Sequence, residues 1–351
     1  MTRTPVGETP VASTVKRPAS RRARLTLGLA IGIVGLAVAS ALSLVFGSRI
    51  VSMDEILSGL FNRDPESFGA IAVASRMPRT VLAILVGGAL GLAGAVMQGA
   101  TRNPLADPGI LGINLGSALA VVVGIAVFDI DSARQYIWFA LAGAALASLL
   151  VYAIASRGRE GATPLKLALA GAATSAALSS LVSAVLLTRT DVFDVFRFWQ
   201  VGGVGGADFG QIAEIAPFLL AGLVLALFSA RGLDVLALGD DLARGLGAHV
   251  GRSRAIAGLS AVLLAGAATA IAGPIGFVGL VVPHAVRFFT GPHHRWLIPY
   301  SVLFGAILLV VADVVGRVIA RPTDIQVGIM TAIIGAPFFI FLIRRAKVRE
   351  L

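Results

Sequence analysis

Along this chain the apolar positions gather into long uncharged blocks, and the charged ones fall between them. Ten blocks cover residues 25–46, 80–100, 109–128, 136–156, 167–188, 215–230, 255–271, 275–286, 296–312 and 325–343. A helix that crosses a bilayer takes roughly 20 apolar residues, with a range of about 17 to 25. The pattern therefore predicts an all-α polytopic membrane protein of about ten transmembrane helices. Blocks 215–230 and 275–286 are short. The second qualifies as a span only if protein neighbours cover its irregular backbone.

Composition agrees with this pattern. Of 351 residues, 57% are hydrophobic and 14% are charged, against about 25% charged in an ordinary soluble domain. A net charge of +10 raises nucleic acid as a partner. The basic residues form no single stripe, however, and aromatics are only 7%, so that reading is set aside. Instead, the charge reports topology. With the amino terminus in the cytoplasm, 20 of the 29 lysines and arginines fall in inside segments and nine outside. Both termini are then cytoplasmic. Residues 1–24 read as a disordered basic tail, 25–345 as one transmembrane domain and 346–351 as a cytoplasmic tail. Small residues at 37–41 after a basic stretch resemble a signal-cleavage site, but the uncharged run continues to Phe46, long enough to span.

The chemistry-bearing motifs are few. With no cysteine there is no thiol nucleophile and no cysteine-ligated metal. Lys16, Lys166 and Lys347 lie in no phosphate-binding loop, so ATP is not bound by that device. His293 and His294 could bind a metal or be ordinary solvated loop residues. Asp313, at the edge of block 296–312, is the one ionisable residue read as intramembrane. Arg317 follows it by one helical turn, which fits either a buried ion pair or a proton relay. In block 167–188, Thr174, Ser175, Ser179 and Ser183 recur at mostly helical spacing. They fit helix–helix hydrogen bonding or a mildly polar pathway wall. "LAGA" occurs at 92–95 and 264–267, each time followed by glycine, proline and another apolar block, which suggests an inverted repeat.

Two further segments stand out. Between Gly239 and Gly247, Leu238, Leu242, Ala243 and Leu246 can form one face of a short inside helix, with Asp240 and Asp241 in its first turn. That face can pack on the membrane surface or enter a partner's groove. "AGPIGFVGLVVPHAVRFF" (272–289) puts Gly273, Gly276 and Gly279 on one face for close backbone approach, with Pro274 marking a turn. Pro283 should kink or end the span, leaving His284 and Arg287 at the cytoplasmic side.

"RMPRTVLAILVGGALGLAGAVMQGATRNPLADPGILGINLGS" (76–117), "ALGDDLARGLG" (237–247), "GPIGFVGLVVPHAVRFFTGPHHRWLIP" (273–299) and "VGIMTAIIGAPFFIFLIRR" (327–345) together resemble the permease subunits of bacterial ABC importers for ferric siderophores, haem and vitamin B12. The resemblance implies a ten-helix subunit with an inverted repeat, paired with a second copy or a close paralogue around a central path. It also implies two cytoplasmic ATP-binding subunits, which carry the ATP and Mg, and an extracytoplasmic substrate-binding protein. No cofactor, metal or catalytic residue is then expected on this chain. Ferric siderophores are the commonest cargo of that family.

By the same resemblance, Arg76, Arg79 and Arg317 match arginines that meet acidic residues of the binding protein. Exposed arginines suit such docking, with ordinary interfacial anchoring as the alternative. Gly239, Leu242, Ala243, Leu246 and Gly247 match the element that couples to the ATPase. The inner gate falls at 161–171, where Pro164 and Leu165 replace a short polar stretch common in relatives. Thr174, Ser175 and Ser179 would line the path above it. An ion-coupled secondary transporter using Asp313 is the alternative from another class, and a non-transporting scaffold is a third.

Overall fold

The computed structural model describes residues 21–62, 67–158 and 162–348. Ten apolar helices run through them: α1 (Arg21–Val45), α3 (Phe68–Thr101), α4 (Ile113–Phe128), α5 (Ala133–Ala155), α6 (Pro164–Thr188), α8 (Phe209–Leu236), α10 (Val250–Ala272), α11 (Val278–Thr290), α12 (His294–Ile319) and α13 (Val327–Val348). Three short helices join them: α2 (Met53–Phe61), α7 (Thr190–Gln200) and α9 (Asp240–Gly245). Among the described residues, seven helices are long and apolar enough to cross a membrane, and α4, α11 and α13 contribute shorter apolar stretches. The all-α, ten-helix expectation therefore holds. Most of the proposed tail, 1–20, lies outside the described residues, as do 349–351. Residues 21–24, assigned to the tail, instead form the first turn of α1, and 346–348 belong to the end of α13.

Several helices outrun their uncharged blocks because their charges find partners. Block 215–230 becomes the 28-residue α8, begun by Asp208 in a capping box with Gln211. Its Glu214 pairs with Arg134 at 2.5 Å. Block 80–100 becomes the 34-residue α3, capped by Ser67 and carrying Arg76 and Arg79 inside the helix. Asp313 is thus not alone as an intrahelical charge.

α3 lies at the centre because its small residues let other backbones close in. It packs on α12, α11 and α10, while α10 packs on α5, α4 and α3. Each "LAGA" helix therefore lies against the two helices preceding the last of the opposite half, the cross-packing of an inverted repeat. The two run antiparallel: Arg254 near the start of α10 donates to the Ala100 carbonyl near the end of α3 at 3.2 Å. A Cβ on Gly94 would overlap the Gly279 carbonyl, so α3 and α11 meet backbone to backbone there.

The glycines of 273–279 do not form one face. Gly273 takes a positive φ of 69° against the Trp199 carbonyl, Gly279 meets α3, and Gly276 faces open space. Nor does Pro283 end the span, because α11 continues through it to Thr290. A proline at 283 cannot donate to the Gly279 carbonyl one turn back. Gln98 of α3 supplies that bond from its Nε2 at 3.1 Å. Its Oε1 in turn accepts from Arg287, so Arg287 points into the bundle and not simply to the cytoplasm.

Candidate functional site

At one end of the bundle, the last turn of α1 leaves carbonyl groups without partners, as every helix end does. Two arginines from other helices satisfy them. Arg76 of α3 donates to Leu44 at 2.9 Å, Val45 at 2.8 Å and Arg49 at 3.0 Å. Arg317 of α12 donates to Ser43 and Phe46 carbonyls at 3.1 Å and to the Ser43 hydroxyl at 2.7 Å. Arg76 is 6% exposed and Arg317 2%. The expectation of three exposed arginines is thus corrected for these two, whose guanidinium groups are buried and engaged inside the fold.

Arg79 is held differently. It forks onto Asp313, with Nε at 3.1 Å and a terminal nitrogen at 2.7 Å, and its other nitrogen reaches Asp324 at 2.9 Å. Arg317 Nε lies 3.0 Å from the second Asp313 oxygen. The pairing of Asp313 with Arg317 one turn on is as the spacing allowed. The pairing with Arg79 had no local signal, since the partners come from α3 and α12. Asp313 is thus a buried carboxylate shared by two guanidinium groups, the structural ion pair that its spacing to Arg317 allowed.

The opposite end carries α9. Gly239, with φ of 106°, and Gly247, with φ of 81°, take conformations that side chains resist, and so bracket the helix. Asp240 accepts from Arg254 at 2.9 Å and lies 3.5 Å from Arg102, tying α9 to the ends of α10 and α3. The predicted single apolar face is divided. Ala243 is wholly buried, whereas Leu238, Leu242 and Leu246, each four residues apart, are 56%, 56% and 64% exposed. An anchored helix thus displays a row of leucines to solvent.

On α6, Thr163 caps the helix and Pro164 occupies its first turn. Leu165 is exposed and Thr174 is buried. Ser175 is half-buried and Ser179 exposed, so Thr174 does not share their face. The start of the proposed gate segment, residue 161, lies outside the described residues. A Cβ on Gly171 would overlap the Ile110 carbonyl, which seats the turn Pro108–Leu111 against α6.

Among the histidines, His294 is not solvated. It begins α12 buried, with its backbone N–H 2.8 Å and its Nδ1 2.7 Å from one oxygen of Asp234 on α8. His293 is exposed beside it. His284 packs edge-on to Phe288. Among the described residues no three acidic or histidine side chains gather as a metal site. Sequence reasoning missed the Gln98–Arg287 and Asp234–His294 pairs. A lone glutamine within an apolar block was the one available signal for the first.

Comparison with known proteins places these features. The sequence profile of the FecCD transport family matches residues 35–345. The chain is 43% identical over 335 residues to the Fe(3+)-citrate import system permease protein YfmD of Bacillus subtilis, covering 95% of this chain and 98% of that one. It is 43% identical over 311 residues to the ferric enterobactin transport system permease protein FepD of Escherichia coli, covering 88% and 92%. A solved inward-facing conformation of a metal-chelate type ABC transporter superposes with a TM-score of 0.78 at 27% identity, over 92% of this chain and 99% of that one. With a family match that spans nearly all ten apolar helices, the chain belongs to the FecCD transport family.

Proposed function

We propose that this chain is the permease subunit of a binding-protein-dependent ABC importer that moves a ferric chelate, most simply a siderophore complex, across a bacterial cytoplasmic membrane. The observation that carries the proposal is the near full-length similarity to ferric-citrate and ferric-enterobactin permeases. Haem and cobalamin are the alternative cargoes. In this reading both termini are cytoplasmic, two separate subunits bind ATP and Mg, and a soluble protein delivers cargo from outside. A second permease chain, identical or paralogous, completes the path. The outward apolar faces of α6 (Leu165, Leu169, Leu181) and α13 (Ile329, Ile333) give it a surface.

The exposed Leu238, Leu242 and Leu246 support α9 as the ATPase-coupling helix, with Gly239 and Gly247 as its brackets and Ala243 as its anchor. For docking, Arg79 is the proposed contact, because its partner Asp324 is itself partly exposed. Arg76 and Arg317 would act through the end of α1. Pro164, Leu165, Ser175 and Ser179 remain the proposed gate and path residues.

Reconstitution tests the proposal. Uptake of a ferric siderophore into vesicles should require added ATPase subunits, ATP and the binding protein, and the chain alone should hydrolyse no ATP. Uptake that follows an ion gradient without ATP would instead establish the secondary-transporter reading through Asp313.

A further inference from the structure

At the end of the bundle that carries α9, the starts of α1 and α12 border an open cavity of about 310 Å³. Arg21, Arg22, Arg295 and His293 line it together with Asp234 and Trp296. Its place on that side follows from His294, whose ring lies against Gly99 in the last turns of α3. Three permanent cations thus face one carboxylate. That carboxylate is engaged, since one Asp234 oxygen takes both the backbone N–H and the Nδ1 of His294. Arg21 is steadied by the Thr290 carbonyl at 2.7 Å, at the end of α11. Among the described residues no carboxylate pairs with Arg22 or Arg295, and the cavity is left with an unbalanced positive charge.

The cavity is also amphipathic. Trp296 and Leu25 give it an apolar wall. Farther along α1, Leu27, Ile31, Val34 and Val38 lie exposed and face the surroundings. An interfacial tryptophan beside clustered arginines, above an apolar helix face, suits a ligand with an anionic head and hydrocarbon chains. A free anion would make no use of that apolar face. We infer that this cavity holds the phosphodiester head group of an anionic phospholipid from the cytoplasmic leaflet, between Arg22 and Arg295, with its acyl chains along α1. Such a lipid would fasten the peripheral α1 to α12, which otherwise meet through contacts such as the Tyr300 hydroxyl donating to the Leu25 carbonyl at 2.6 Å. The inference uses the membrane placement of the chain, and its test needs no transport.

The test is native mass spectrometry of the delipidated full chain in detergent, titrated with phosphatidylglycerol or phosphatidylcholine. Wild type and Arg231→Gln, which removes an exposed arginine outside the cavity, should both retain phosphatidylglycerol in preference to phosphatidylcholine. Arg22→Gln with Arg295→Gln should lower phosphatidylglycerol retention by about thirtyfold, the order expected from losing two basic residues at a lipid head group. Should the double variant unfold, the exposed Arg295→Gln alone should still show a measurable loss. Equal retention of both lipids, or equal retention by variant and wild type, overturns the inference. Inorganic phosphate supplies the other arm. If it displaces the lipid at millimolar concentration, or binds as well in its absence, the site takes free phosphate and the lipid assignment fails.

Discussion

Arg79 and Asp313 lie 234 positions apart in sequence and meet through a forked ion pair whose shorter arm is 2.7 Å. With Arg317 on the other side of the same carboxylate, Asp313 holds α3 and α12 together at the end of the bundle where α1 is capped. A buried charge is costly unless paired, so the cluster stands or falls together.

Asp313→Asn should therefore destabilise the protein by about 3–5 kcal/mol, because Arg79 and Arg317 keep their charges without their shared anion. Adding Arg79→Gln should recover part of the loss. Thermal unfolding in detergent checks both, and an unchanged midpoint for Asp313→Asn would remove the network from the account of stability.

Gly94→Ala and Gly276→Ala should differ sharply. The first drives a methyl into the Gly279 carbonyl, and the second enters open space. Overpacking of a tight core typically costs about 1–3 kcal/mol. Gly276→Ala should stay within about 0.5 kcal/mol of wild type. Comparable unfolding midpoints would mean that α3 and α11 do not meet backbone to backbone.

Gln98→Leu should lower stability and loosen α11. It leaves the Gly279 carbonyl, already without a proline donor, and the Arg287 guanidinium both short of a partner. Each unsatisfied buried group costs about 1–3 kcal/mol. Hydrogen exchange should rise selectively in 278–290, and unaltered protection there would contradict the bridging role.

Leu246→Asp should leave the helices intact while abolishing stimulation of the partner ATPase, since Leu246 is 64% exposed. Ala243→Asp should instead disorder α9, because Ala243 is buried against the bundle. ATPase assays and hydrogen exchange on the two variants separate coupling from folding, and full stimulation by Leu246→Asp would move coupling elsewhere.

In the first turn of α7, hydrogen bonds from Arg189 hold the Asp191 carboxyl down to about 2, against an ordinary value of 3.8. A folded-state pKa below the unfolded one stabilises the pair above the ordinary value, and the contribution is lost as pH falls through the depressed one. Carboxylate titration by NMR should place the midpoint near 2 in wild type and near 3.8 in Arg189→Gln. High salt should narrow the gap, as both groups are exposed. A wild-type midpoint at the ordinary value would dissolve the pair.

How far the sequence carried depends on the range of the forces involved. Ten apolar blocks were legible because insertion into a bilayer depends on local length and hydropathy. The fork at Arg79 was not, since the uncharged block begins at Thr80 and leaves Arg76 and Arg79 outside it. Their charges are tolerated because α1 carbonyls and Asp313 meet them. His294 was misread as a loop residue for the same reason, its partner Asp234 lying 60 positions away on another helix.

By itself, then, the sequence determined the helical membrane class, the approximate spans, the echo between halves and the bracketed α9, all of which rest on hydropathy, spacing and glycine's freedom along one stretch of chain. Tertiary structure alone decided which charges could be buried, which leucines of α9 face outward, and how α11 survives its proline. Each of those outcomes requires a donor, an acceptor or a packing surface from a distant helix, and local pattern does not encode that geometry.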